Sequence, residues 1–128
     1  MITSSVAGQG PGPYQSTYAA SKAFVHSFGR ALRHELRDTA VTVTSVLPGP
    51  TDTTFFARAD MEEAWVARGP KADPSDVAHQ AFAAMMAGRG QVVTGSWLIK
   101  AANLLSAYAP EVLATRMQAA LAKPRGRG

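Results

Sequence analysis

Apolar positions change period several times along the chain, and each change marks an element. Residues 1–6 form a short β-prone start, so Met1 opens inside a strand that runs into Gly8-Gln9-Gly10-Pro11-Gly12-Pro13, which reads as loop. From about Gln15 the period becomes helical. Ala20, Phe24, Phe28, Leu32 and Leu36 recur every four residues, with Ala23, Ser27 and Ala31 beside them. This stripe predicts one long helix with a continuous core-facing side. Arg30, Arg33, His34 and Arg37 lie off the stripe towards the C-terminal end, where positive charge suits the helix dipole. Residues 41–47, Val-Thr-Val-Thr-Ser-Val-Leu, are rich in β-branched side chains and stop at Pro48-Gly49-Pro50, the pattern of a strand ended by a loop.

Residues 51–69 have no clean period and predict a loop carrying one or two short helical turns. Asp73 before Pro74 supplies an N-cap and a first-turn residue for a second helix. Its predicted buried stripe is Val77, Ala78, Ala81, Phe82, Met85 and Met86, with Gly88 as the stop. Residues 91–94 predict a short strand, and 97–122 are helical with a break at Pro110. Strand and helix alternate three times, the pattern of an α/β fold with about three parallel strands and right-handed crossovers. Ligands of such sheets sit at the carboxyl ends of the strands. That directs attention to residues 4–8, 48–54 and 94–96.

Composition narrows the class. The 128 residues fit one domain, and 46% hydrophobic with 17% charged residues is a globular balance rather than that of a disordered chain. The absence of cysteine removes disulfides, thiolate metal sites and cysteine nucleophiles. His26, His34 and His79 lack the spacing of metal ligands on one helix. No apolar run approaches the roughly 20 residues of a membrane span, so a cytoplasmic protein without membrane contact is expected. The net charge of +4 raises nucleic acid as a partner, but the arginines are scattered among acids, and only Lys123, Arg125 and Arg127 cluster. Residues 1–122 are therefore expected to form the domain and 123–128 a flexible basic tail, with no nucleic-acid partner.

The candidate chemistry begins at Tyr18-Ala19-Ala20-Ser21-Lys22. Spacing i, i+4 puts the phenol and the ammonium on one helical face. A tyrosine is a poor base at neutral pH, and a cation within about 4–6 Å favours its phenolate, making it a usable donor and acceptor for alcohol–carbonyl interconversion. That pair alone is common on helices. Its company is not, since Ser5 stands thirteen residues before Tyr18 at a strand end, and Pro48-Gly49-Pro50-Thr51-Asp52-Thr53 closes the next strand. Serine, then Tyr-x-x-x-Lys, then Pro-Gly-x-x-x-Thr, in this order and spacing, resembles the short-chain dehydrogenase/reductase family.

The resemblance implies an oxidoreductase that uses NAD or NADP to interconvert an alcohol and a carbonyl in a small-molecule substrate. It implies Tyr18 as acid/base, Ser5 (rather than Ser4) as the hydroxyl on the substrate oxygen, and Lys22 as the residue that tunes Tyr18 and bonds the nicotinamide ribose. Pro48, Gly49, Thr51 and Thr53 would meet the nicotinamide carboxamide. Phe55, Phe56, Met61 and Trp65 fall where the family has its variable substrate lid. The long helix would also join a homo-oligomer interface.

The resemblance covers essentially this whole chain and the second half of the family's pattern. The expected architecture is thus the C-terminal half of a Rossmann-like doubly wound parallel sheet. The family's glycine-rich dinucleotide loop, the residue that selects NAD or NADP, and the relay asparagine are not found. A truncated or start-misassigned member is expected, with the adenine half of the cofactor unhoused and the first strand bare on one edge. The competing expectation is an inactive remnant that acts through subunit association.

Overall fold

The computed structural model describes residues 1–59, 62, 64–106 and 108–123. The expectations for Met61, for the side chain of Trp65 and for the tail beyond Lys123 lie outside the described residues.

The sheet is built on its middle strand. Strand β2 (Ser45–Pro48) has strand β1 (Ile2–Thr3) on one side and strand β3 (Gln91–Thr94) on the other, both parallel to it. Ile2 pairs with Ser45, and Val46 and Leu47 pair with Val92 and Val93. Covered on both faces, Ser45, Val46 and Leu47 are buried, with Leu47 fully so. The predicted strand over 41–47 is corrected to 45–48. Extended backbone precedes it, where Ile2 N donates to the Thr44 carbonyl at 2.9 Å and the Thr44 hydroxyl to the Arg89 carbonyl at 2.7 Å. β-Branched composition marks extended chain but not where the partner strands begin. Among the described residues β1 has no strand on its outer side.

Helix α1 (Ser16–Glu35) crosses between β1 and β2. Its buried residues are Ala19 and Gly29, not the predicted stripe. A Cβ on Gly29 would lie 2.2 Å from the Ile2 side chain and 2.5 Å from Ser45 Oγ, so the helix lies on the sheet at a position where only hydrogen fits. Close approach selects small side chains, and the large apolar ones are turned outward. Phe24 is 69% and Phe28 49% exposed, their rings stacked at 6.0 Å. Arg33 fastens the far end, donating to the carbonyls of Val43 at 3.0 Å and Gly88 at 3.1 Å.

The region after β2 carries two single turns, α2 (Phe55–Arg58) and α3 (Trp65–Arg68), as the uneven period predicted. Helix α4 (Pro74–Met86) starts where Asp73 accepts from Ser75 N and Asp76 N, and it ends before Gly88 at φ +64. Its predicted stripe is also corrected: Ala81 and Ala84 are buried, while Ala78, Phe82 and Met86 are exposed. Helices α5 (Trp97–Ser106) and α6 (Glu111–Ala122) flank the break at Pro110. The predicted loop over 8–13 contains the end of a 3-10 turn, Val6–Gln9. No helix among the described residues is long and apolar enough to cross a membrane.

Candidate active site

The chain leaves β1 through Ser4 and Ser5, turns tightly and enters α1. Ser5 caps the 3-10 turn, its hydroxyl accepting from Ala7 N at 3.1 Å. That hydroxyl has its own proton directed at the Pro48 carbonyl at 3.5 Å, a contact too long to hold it firmly. Ser4 is 2% exposed and donates to the Lys22 carbonyl at 2.7 Å, which ties the strand end to the helix. Gly8 brings the turn against the same peptide. A Cβ there would meet Lys22 C at 2.6 Å and Ala23 N at 2.8 Å. Ser5 is thereby fixed relative to the first turns of α1.

Those turns carry Tyr18 and Lys22. The Lys22 ammonium lies 5.8 Å from the centre of the Tyr18 ring and donates to the Thr3 carbonyl at 3.2 Å. The Tyr18 hydroxyl bonds no described residue, while its ring packs 5.2 Å from that of Phe55 on α2. Phe55 in turn meets Phe56 edge-on at 5.3 Å.

The second strand end supplies Pro48 to Thr53. Gly49 lies under Ile99 of α5, with a Cβ on it only 2.6 Å from Ile99 Cγ2. The Thr51 hydroxyl donates to the Gly49 carbonyl at 2.9 Å, and Thr53 Oγ1 accepts from Phe55 N at 3.3 Å. The excursion that bears α2 and α3 is closed at its neck: Thr51 bridges Ala72, Ala72 N donates to the Pro50 carbonyl, and Asp52 N donates to the Ala72 carbonyl, both at 2.9 Å. The Lys71–Asp52 pair at 3.8 Å lies at the same neck. This closure holds Phe55 over Tyr18.

Ser5, Tyr18, Lys22, Pro48, Gly49, Thr51 and Thr53 all line one cavity of about 940 Å³. They come from three separate stretches of chain. The donor set fits the nicotinamide end of a dinucleotide: an ammonium has three donors, Lys22 uses one, and the Thr53 hydroxyl proton is not engaged among the described residues. Among those residues no group of three metal-binding side chains occurs. His26, on α1, does not line the cavity; burial first, and the Arg30 charge second, hold its pKa below the usual histidine value.

The sequence directs attention to residues 4–8 but not to the part that Ser4 and Gly8 play there, which is to set the position of α1. Helices α5 and α6 provide Leu98, Ile99, Ala102, Met117 and Leu121 to the cavity wall. Their apolar residues could not be assigned to a partner from periodicity alone.

Comparison with known proteins bears on this geometry. A family model described as short chain dehydrogenase matches residues 1–64. An uncharacterized oxidoreductase of Staphylococcus saprophyticus is 46% identical over 68 residues, 53% of this chain and 27% of that protein. Sulfoacetaldehyde reductase 2 of Chromohalobacter salexigens is 53% identical over 51 residues, 40% of this chain and 20% of its own. The crystal structure of a short chain dehydrogenase from Burkholderia cenocepacia, in complex with NADP, superposes with a TM-score of 0.68 at 26% identity, covering 94% of this chain and 47% of the other. The chain thus spans about half the length of that structure, and its matches cover smaller shares of the curated relatives.

Proposed function

The chain belongs to the short-chain dehydrogenase family, and from that premise we propose that it carries the proton-transfer group and the nicotinamide side of an NAD- or NADP-dependent oxidoreductase acting on an alcohol–carbonyl pair. The observation that carries this reading is the convergence of Ser5, Tyr18 and Lys22 with Pro48, Gly49, Thr51 and Thr53 on one cavity. The bound nicotinamide would supply or accept the hydride. Tyr18 would give its hydroxyl proton to the carbonyl oxygen in reduction and take one from the alcohol in oxidation. Its hydroxyl has no described protein partner to compete with a substrate. The Ser5 hydroxyl, loosely held by Pro48, would turn to the same substrate oxygen and hydrogen-bond the charge that develops there.

Lys22 serves twice in this reading. Its ammonium, 5.8 Å from the Tyr18 ring, offsets negative charge that builds on the phenol oxygen during transfer. Its remaining donors would hold ribose hydroxyls. The Pro48-Gly49 turn with Thr51 and Thr53 would meet the carboxamide. NADP in the Burkholderia relative and the aldehyde substrate named for the Chromohalobacter relative both agree with this assignment. The exposed Phe24/Phe28 pair supports a homo-oligomer.

Calorimetric titration with NADPH and NADH tests the cofactor side. Saturable binding of either by the wild type, weakened at least roughly tenfold in Lys22→Met by loss of a charged hydrogen bond, is expected. Binding unaffected by Lys22→Met, or no binding at all, would overturn the assignment.

A further inference from the structure

The cavity extends well beyond the residues that the proposed chemistry uses, and the character of its far wall is informative. From Tyr18 it runs past Phe55 and Phe56 to Leu98 and Ile99 of α5 and Met117 and Leu121 of α6. Its volume of about 940 Å³ is near the top of the range for sites that enclose drug-sized ligands, roughly 300–1,000 Å³. Lys22 is the one charged side chain among the described residues that line it. The uncharged polar groups Asn103, Ser106 and Gln118 lie on the α5 and α6 side.

An anionic substrate tail along α5 and α6 would lose its hydration without gaining a cationic side chain there, since Lys22 stands beside the phenol. An apolar tail gains from every methylene removed from water. We infer that the site takes an elongated, uncharged, apolar alcohol or carbonyl compound, its oxygen at Ser5 and Tyr18 and its hydrocarbon portion along α5 and α6. This rests on the oxidoreductase reading for which end of the ligand points to Tyr18. The apolar channel itself does not depend on that reading.

The test is binding of linear 2-alkanones, from 2-butanone to 2-decanone, to the 128-residue chain by calorimetry, with sulfoacetaldehyde as a short anionic probe. Affinity should rise roughly fourfold per added methylene until the channel is filled, about 0.8 kcal/mol each, and sulfoacetaldehyde should bind more weakly than 2-decanone. A flat series, or tighter binding of sulfoacetaldehyde, would overturn the inference. Ala102 is an exposed position on α5 that lines the channel. Ala102→Glu should weaken 2-decanone at least roughly tenfold with little effect on 2-butanone, and Ala102→Leu should retain the series. A folded Ala102→Glu with the full gradient would also overturn it, and if neither variant folds, the wild-type series decides. Tyr18→Phe should keep the gradient. A gradient without cofactor-dependent turnover would leave the channel and remove the oxidoreductase, whereas turnover without a gradient would do the reverse.

Discussion

Replacing Gly8 with alanine should disturb the site through a single methyl group. The added Cβ would stand 2.6 Å from Lys22 C and 2.8 Å from both Ala23 N and Lys22 O, against ordinary contact at 3.4–4 Å. All three atoms are backbone, so no side chain can move aside. The turn and the helix must part by about 0.8 Å to restore normal contact. Overpacking of this kind costs about 1–3 kcal/mol. For a chain of 128 residues that is a loss of roughly 3–15 °C in Tm. Gly10, two residues on, is the internal control: its Cβ would meet nothing within 4 Å, and its φ of −160 suits any residue. Gly10→Ala should be neutral or stabilise by up to about 1 kcal/mol. Thermal unfolding of both variants by circular dichroism decides the matter. Gly8→Ala should also lower turnover on the order of 100-fold, because the displaced groups are Ser5 and the helix that bears Tyr18. Equal Tm values for the two variants would refute the close-approach argument.

Asp73→Ala should cost about 1 kcal/mol, because the carboxylate caps α4 by accepting from Ser75 N at 2.7 Å and Asp76 N at 3.3 Å; an unchanged Tm would contradict it. His26 gives a pH dependence. Its folded-state pKa lies below the usual value of about 6.5, so the unfolded chain binds more protons in that interval, and stability present above about 6.5 is lost as pH falls towards the lowered value. Melting between about pH 7.5 and 5.5 should therefore show a decline that His26→Gln reduces, and identical declines would contradict it. Phe24→Ser with Phe28→Ser should convert the proposed homo-oligomer to a folded monomer, as read by light scattering with circular dichroism; a monomeric wild type would refute the proposed interface.

Chemistry was more legible in this chain than packing. Ser5, Tyr18, Lys22, Pro48, Gly49, Thr51 and Thr53 could be singled out because their order and spacing resemble the short-chain dehydrogenase/reductase pattern, and they line one cavity. The strands were legible in number and order, since β-branched runs and Gly/Pro stops are local signals. Which face of α1 meets the sheet was not. The Phe24/Phe28 stripe has the stronger periodicity, yet Ala19 and Gly29 are buried because helix–sheet distance, a tertiary quantity, rewards small residues. The same physics inverted the reading of Phe82 and Met86 on α4. Helices α5 and α6 were foreseen as helices, but their part in the cavity depends on Ile99 lying over Gly49, a contact between residues fifty positions apart.

The central claim is proton transfer by Tyr18, and the most direct measurement is carbonyl-dependent oxidation of NADPH or NADH by wild type and Tyr18→Phe, each also titrated for cofactor binding. A general acid of this kind contributes about 10²–10⁴-fold, so the phenylalanine variant should lose at least 100-fold in kcat while binding cofactor as before. Turnover undiminished in a folded Tyr18→Phe would contradict the account.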